Sequence, residues 1–182
     1  MKIQLQFFGG RGGSSGSDGS GGGGFTYSDY NKALRKWSND FETITPADRE
    51  VLEDFIKTRS ADVGPVKYAY GLSRGISMSD AELNRLEVGG TFSEGKLASW
   101  SGQVGQAQSF ARNNASDSKP NKVVVRTKSP VSRGAKLAGM VTGSRFAEAE
   151  TIVSSKAKFK IDRIKKAKQS WQYTEVWVTP SN

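Results

Sequence analysis

Glu148 and Glu150 stand two residues apart in the stretch Arg145-Phe146-Ala147-Glu148-Ala149-Glu150-Thr151-Ile152-Val153. The β-branched run that closes this stretch predicts a strand. Side chains alternate along a strand, so the two carboxylates share one face, about 6–7 Å apart, and Ala149 takes the other. Like charges so placed repel each other, a cost that structural strands usually avoid. Two readings fit: a solvated pair on an edge strand, or a site that must stabilise a developing cation. Two further segments carry groups that could join such a site. One is Tyr70-Gly71-Leu72-Ser73-Arg74-Gly75-Ile76, the other Leu97-Ala98-Ser99-Trp100-Ser101. Trp100 alternates away from its flanking serines and is expected in the core. The chain has no cysteine and no histidine. Disulfides, thiolate zinc sites, imidazole bases and Cys or His nucleophiles are therefore excluded, and no metal site is expected. Any chemistry must run on Glu, Asp, Ser, Tyr, Lys and Arg.

With 182 residues the chain suits one domain with a real core. Its formal net charge of +9 is uneven. Residues 1–60 hold 8 basic and 8 acidic side chains, 61–150 hold 12 and 8, and 151–182 hold 7 and 2. A basic C-terminal part fits a nucleic acid, a polyphosphate ligand or an acidic partner, and charge alone does not choose among them. No run reaches the roughly 18–20 apolar residues of a membrane span, and the Gln-broken start is too short for a signal peptide. The expected location is a cytoplasm, unless a particle carries the chain.

The elements that must position these groups follow from periodicity. Residues 1–8 suggest a short peg, and 9–24, all Gly or Ser except Arg11 and Asp18, a flexible linker. Tyr27, Tyr30, Leu34 and Trp37, with Ala33 and Phe41, fall at helical spacing. Thr45-Pro46-Ala47-Asp48 starts a second helix, with Val51, Leu52, Phe55 and Ile56 on its core face. After the break at Gly64-Pro65, a strand over 66–74 is expected to end at Arg74, before Gly75. A short helix over 79–86, a loop at Gly89-Gly90, a strand near 97–101 and a helix over 103–113 come next. Strands over 121–127, 135–141, 157–161 and 173–178 complete the chain. The class is α+β: helices in 25–60, then a mixed or antiparallel β-core in 61–182. Gly89-Gly90 lacks the further glycines of a dinucleotide fingerprint, which excludes a Rossmann reading.

In order along the chain, an Arg-bearing strand, a Ser-X-Ser and a Glu-X-Glu resemble the Arg–Ser–Glu signature of mono-ADP-ribosyltransferases of the bacterial toxin type. Tyr70 to Ile76 resembles the family's aromatic-rich first strand. Phe92 to Ser101 resembles its Phe-X-Ser-Thr-Ser region, with Trp100 in place of the middle Thr. Glu148 to Val153, followed by Lys158-Phe159-Lys160-Ile161, resembles its Glu-X-Glu strand and the Lys-Phe strand after it. The likeness spans about 66–178 and implies the family's fold, with NAD as substrate. It assigns Glu150 to the ribose and the oxocarbenium-like charge at its C1′. Glu148 then takes a proton from the incoming nucleophile, a position that in this family goes with arginine acceptors. Arg74, with its forked donors, suits the NAD diphosphate, and Ser99 holds Glu150 with Ser101 in support. Gly75 joins the NAD-binding set. Tyr70, Phe110 and Phe146 read either as core packing or as rings that stack on nicotinamide or meet the acceptor, and Arg145 and Phe146 sit where the family recognises its acceptor. Without the likeness, Arg74 reads as a strand-end cap and the two serines as local backbone partners.

The implied activity is transfer of ADP-ribose from NAD onto an arginine exposed on a protein, with a host protein as the natural acceptor. A NAD glycohydrolase would use the same site without an acceptor. A non-enzymatic module could instead hold nucleic acid or a capsid partner through Lys156, Lys158, Lys160, Arg163, Lys165, Lys166 and Lys168. The opening Met1 to Gly10 with its Gly/Ser tract resembles phage head-gene products that carry such a domain, which implies head or capsid components as partners and a place in the virion.

Overall fold

The computed structural model describes residues 24–39, 43–63, 71–127, 129, 131, 133–136 and 150–181. The peg, nearly all of the linker, Phe41, Tyr70, the stretch 137–141, Arg145, Phe146 and Glu148 lie outside the described residues. The elements run α1 (Tyr27–Asn39), α2 (Pro46–Val63), β1 (Leu72–Met78), α3 (Asp80–Asn84), β2 (Thr91–Phe92) and β3 (Ala98–Ser101). They continue with α4 (Val104–Asn113), β4 (Asn121–Thr127), β5 (Gly134–Lys136), β6 (Glu150–Val153), β7 (Lys158–Lys165) and β8 (Thr174–Ser181). The architecture is α+β, as the periodicities predict.

Capping fixes the helix starts. Thr26 and Asp29 exchange hydrogen bonds across the first turn of α1, as Thr45 and Asp48 do in α2. Ser79 and Glu82 form a reciprocal capping box on α3, and the Ser79 N–H, with Lys119 in support, lowers the Glu82 pKa to about 2. Along α1 the core stripe is Ala33, Leu34 and Trp37, whereas Tyr27, expected on that stripe, opens the helix and is exposed. Val51, Leu52, Phe55 and Ile56 of α2 are buried against it. Each such side chain contributes about 1.5–3 kcal/mol by leaving water.

Among the described residues, eight strands form one sheet in the order β2-β7-β8-β4-β1-β3-β6-β5, with only β4 and β8 parallel. β1 does not end at Arg74 but runs on to Met78, paired with β4 along its whole length. Gly75, expected as a breaker, lies inside the strand because α4 crosses it. A Cβ there would stand 1.7 Å from the Ala107 carbonyl oxygen, a clash that only glycine avoids. The inner face of the sheet carries Leu72, Trp100, Val123, Val125, Phe159, Ile161, Val176 and Val178. Trp100 stacks on Phe159 with ring centroids 5.0 Å apart, although β3 and β7 are four strands apart in the sheet. The sheet therefore curls until its inner face packs on itself. On the outer face, α1 and α2 cover the β5–β6 end through Leu97, Ala135 and Ile152, and Ala107 and Ala111 of α4 lie over the middle.

Candidate active site

β1, β3 and β6 are neighbours in the sheet, which brings the three sequence-distant segments together. Ser101 pairs with Ser73 on one side and Glu150 on the other. The pleat then puts Ser99, Ser101 and Glu150 on the outer face and Arg74 on the inner one. β1 and β3 share that single pair and then part. Arg74 reaches across the parting.

Ser99 links the two charged groups. Its Oγ donates to Glu150 Oε1 at 2.6 Å, and its carbonyl oxygen accepts from Arg74 Nη1 at 3.1 Å. The expected bond between Ser99 and Glu150 is thus present in the geometry, and the main chain of the same residue ties in Arg74. Glu150 is half-buried at the start of β6, and its Oε1 also accepts from the indole Nε1 of Trp37 at 3.4 Å. Both donors meet one oxygen. Among the described residues, Oε2 has no hydrogen-bond partner.

Two members of this cluster were not found from sequence. Glu94 accepts from Arg74 Nε at 3.0 Å and from Nη2 at 3.2 Å, a two-pronged, half-buried ion pair. A lone acid beside Gly95, twenty residues from its partner, leaves no periodic trace. Trp37 reads from spacing as a core residue, and it is buried. The available signal was chemical: a buried indole N–H needs an acceptor.

Other candidates are placed differently. Ser101 Oγ donates to Gln106 Oε1 at 2.9 Å and accepts from the Gln103 N–H at 3.0 Å, so it secures the start of α4 rather than Glu150. Gly75 makes room for α4. Phe110 is exposed on α4, one turn beyond Ala107. Trp100 lies in the core, as alternation predicts.

Chemically, the cluster offers a fixed carboxylate with one oxygen directed away from its donors, next to a guanidinium whose Nε and Nη2 edge is clamped. The first suits a cationic centre, and the donors left on the second suit an anionic oxygen.

No protein-family model matches the sequence, and no curated sequence matches it. Solved structures do. The Vis toxin, an ADP-ribosyltransferase from Vibrio splendidus, is 24% identical with a TM-score of 0.53, over 86% of this chain and 67% of that one. Exoenzyme S from Pseudomonas aeruginosa, solved bound to carba-NAD, is 17% identical with a TM-score of 0.52, over 84% and 66%. C3stau2 from S. aureus, solved with NAD, is 7% identical with a TM-score of 0.51, over 86% and 88%. The chain has the ADP-ribosyltransferase toxin fold.

Proposed function

We propose that the chain cleaves NAD between nicotinamide and ribose and transfers the ADP-ribose to an arginine of a host protein. The observation that carries this reading is the double use of Ser99, which holds Glu150 by its hydroxyl and Arg74 by its carbonyl in a fold shared with NAD-binding toxins. Arg74, clamped by Glu94, would present its remaining donors to the NAD diphosphate. Glu150 Oε2, directed at the ribose, would stabilise the positive charge that grows on C1′ as nicotinamide departs as a neutral molecule with the bonding electron pair. Glu148 would take a proton from the acceptor guanidinium, whose freed nitrogen pair then closes the new bond to C1′.

Arginine as the acceptor rests on the Glu-X-Glu pattern and on the solved complex of Vis with agmatine, a small guanidine. Arg145 and Phe146, just before that pattern, are assigned to the acceptor. The opening ten residues suggest that the chain is carried with a phage head.

Incubation with labelled NAD and host lysate tests the reading. Wild type labels a protein band, and Glu150→Gln lowers labelling at least ~100-fold, the scale for losing a transition-state charge partner. Glu148→Gln loses transfer more than plain NAD hydrolysis. Equal labelling by wild type and Glu150→Gln refutes the assignment. Free ADP-ribose released at the same rate with and without acceptor would identify a glycohydrolase instead.

A further inference from the structure

The outer face of the sheet has one end that none of the described site residues uses. Pairing of β7 with β8 places Lys158 opposite Ser181, Lys160 opposite Thr179, Arg163 opposite Trp177 and Lys165 opposite Glu175. A bulge between Ile161 and Arg163 absorbs Asp162, so Arg163 and Lys165 stay on the same face as the two lysines before them. All four cations are exposed. They form a row with neighbours about 6–7 Å apart, or somewhat more across the bulge. The next strand adds Lys122 and Arg126 on that face, since Arg126 is in register with Trp177. Among the described residues, the two acids nearby are already engaged: Asp162 accepts from Thr179 Oγ1 at 2.6 Å, and Glu175 pairs with Arg126 at 3.5 Å.

Aromatic rings are interleaved with these charges. The Arg163 guanidinium lies 4.9 Å from the centre of the Trp177 ring, and Lys122 Nζ lies 5.7 Å from that of Tyr173. Trp171, in the β7–β8 turn beside Lys165, Lys166 and Lys168, is 67% exposed. Its turn is tightly built. The Ala167 N–H donates to Thr174 Oγ1 at 3.1 Å, the Lys168 N–H to Gln172 Oε1 at 2.9 Å, and the Gln172 N–H to the Gln169 carbonyl at 3.0 Å. The indole N–H is bonded to Gln169 Oε1. The ring therefore has no polar need left to satisfy and keeps a flat apolar surface in water, held in place by its own turn.

We propose that this sheet end and turn bind single-stranded nucleic acid, the cation row along the phosphates and Trp171 stacked on a base. Cations alone would serve an acidic protein equally well. The presented ring favours unpaired bases, which offer a flat surface that a carboxylate lacks. This surface is separate from the candidate active site, and its test needs no NAD.

The full chain is titrated against a labelled oligothymidylate by fluorescence anisotropy at several salt concentrations. Four phosphate contacts predict a slope of log K against log salt of about −3. Joint Lys158→Gln, Lys160→Gln and Lys165→Gln brings the slope to about −1. Trp171→Ala weakens binding about tenfold and leaves the slope unchanged. Its exposure makes unfolding no explanation for that loss. Affinity independent of salt, or equal affinity of wild type and variants, overturns the proposal. A duplex of equal length bound as tightly removes the stacking role, and polyglutamate competing as well as the oligonucleotide points to an acidic protein instead.

Discussion

The two ends of the sheet's outer face are built from the same pleat and treated in opposite ways. At the β3–β6 end, Ile152 lies beneath α1 and α2, and the Glu150 carboxylate beside it is held by donors from two elements, Trp37 of α1 and Ser99 of β3. At the β7–β8 end, four cations stand in water, one of them stacked on Trp177. On the proposed function Glu150 must meet a reacting atom, and such a group has to be held within a fraction of an ångström, which takes a second layer of structure. Attraction of a polyanion needs only a density of charge, which a bare strand supplies. The roof also has its own fastenings. Glu53 of α2 accepts from Ser154 Oγ, the Ser155 N–H and Ser155 Oγ at 2.5–2.7 Å, and the Tyr30 hydroxyl donates to Asp54 at 2.5 Å.

The contrast breaks most completely where the middle of the roof meets the sheet. Gly75→Val places a branched side chain where even a Cβ would meet Ala107 O at 1.7 Å, and main chain cannot yield as a flexible side chain can. Overpacking of this kind costs about 3 kcal/mol or more. For a chain of this length that lowers Tm by the order of 10 °C. A thermal melt followed by circular dichroism reads it. An unchanged Tm would mean that α4 is not seated on β1 as described.

Much of this architecture is legible in the sequence because it rests on local rules. The strand over 121–127 is β4 residue for residue, and Thr45, Pro46 and Asp48 mark the start of α2. Arg74, Ser99 and Glu150 are found by their order along the chain, and the structure brings them to one place. What escaped depends on long-range packing. Gly75 looks like a strand breaker until α4 crosses it, and β2, two residues long, exists only by pairing with Thr91 opposite Lys160 and Phe92 opposite Phe159. Glu94 and Trp37 escaped because their partners lie 20 and 113 residues away. No periodicity encodes a contact at that range.

Trp37→Phe sharpens the comparison without lifting the roof. Phenylalanine keeps most of the buried ring and removes the N–H that reaches Glu150 Oε1 at 3.4 Å. At that length the bond is worth less than the usual ~1.5–3 kcal/mol for a charged partner, so kcat for NAD turnover should fall about fivefold. On the proposed function, KM for NAD stays within about twofold, because the indole N–H meets the carboxylate of Glu150 and the diphosphate is assigned to Arg74. Steady-state kinetics separates the two terms. A raised KM with unchanged kcat would assign α1 to substrate binding instead of to orientation of Glu150.

The smallest effect is expected at the fastening between α1 and α2. Lys36 Nζ lies 2.7 Å from Asp48 Oδ2, and this hydrogen bond, with those from Thr45, lowers the Asp48 pKa from 3.8 to about 2. A carboxylate whose pKa is depressed on folding stabilises the fold fully above its unfolded value, and loses that contribution as pH falls through the folded one. The Asp48 share is therefore complete above about pH 4 and fades between 3.8 and 2. Asp48→Asn has no such share to lose. Thermal melts at pH 5 and pH 2 should show a smaller drop in Tm for the variant than for wild type, while the cap at Glu82 fades equally in both. Equal drops would place the acid sensitivity elsewhere and leave the two helices held by their apolar contact and by the Tyr30–Asp54 hydrogen bond.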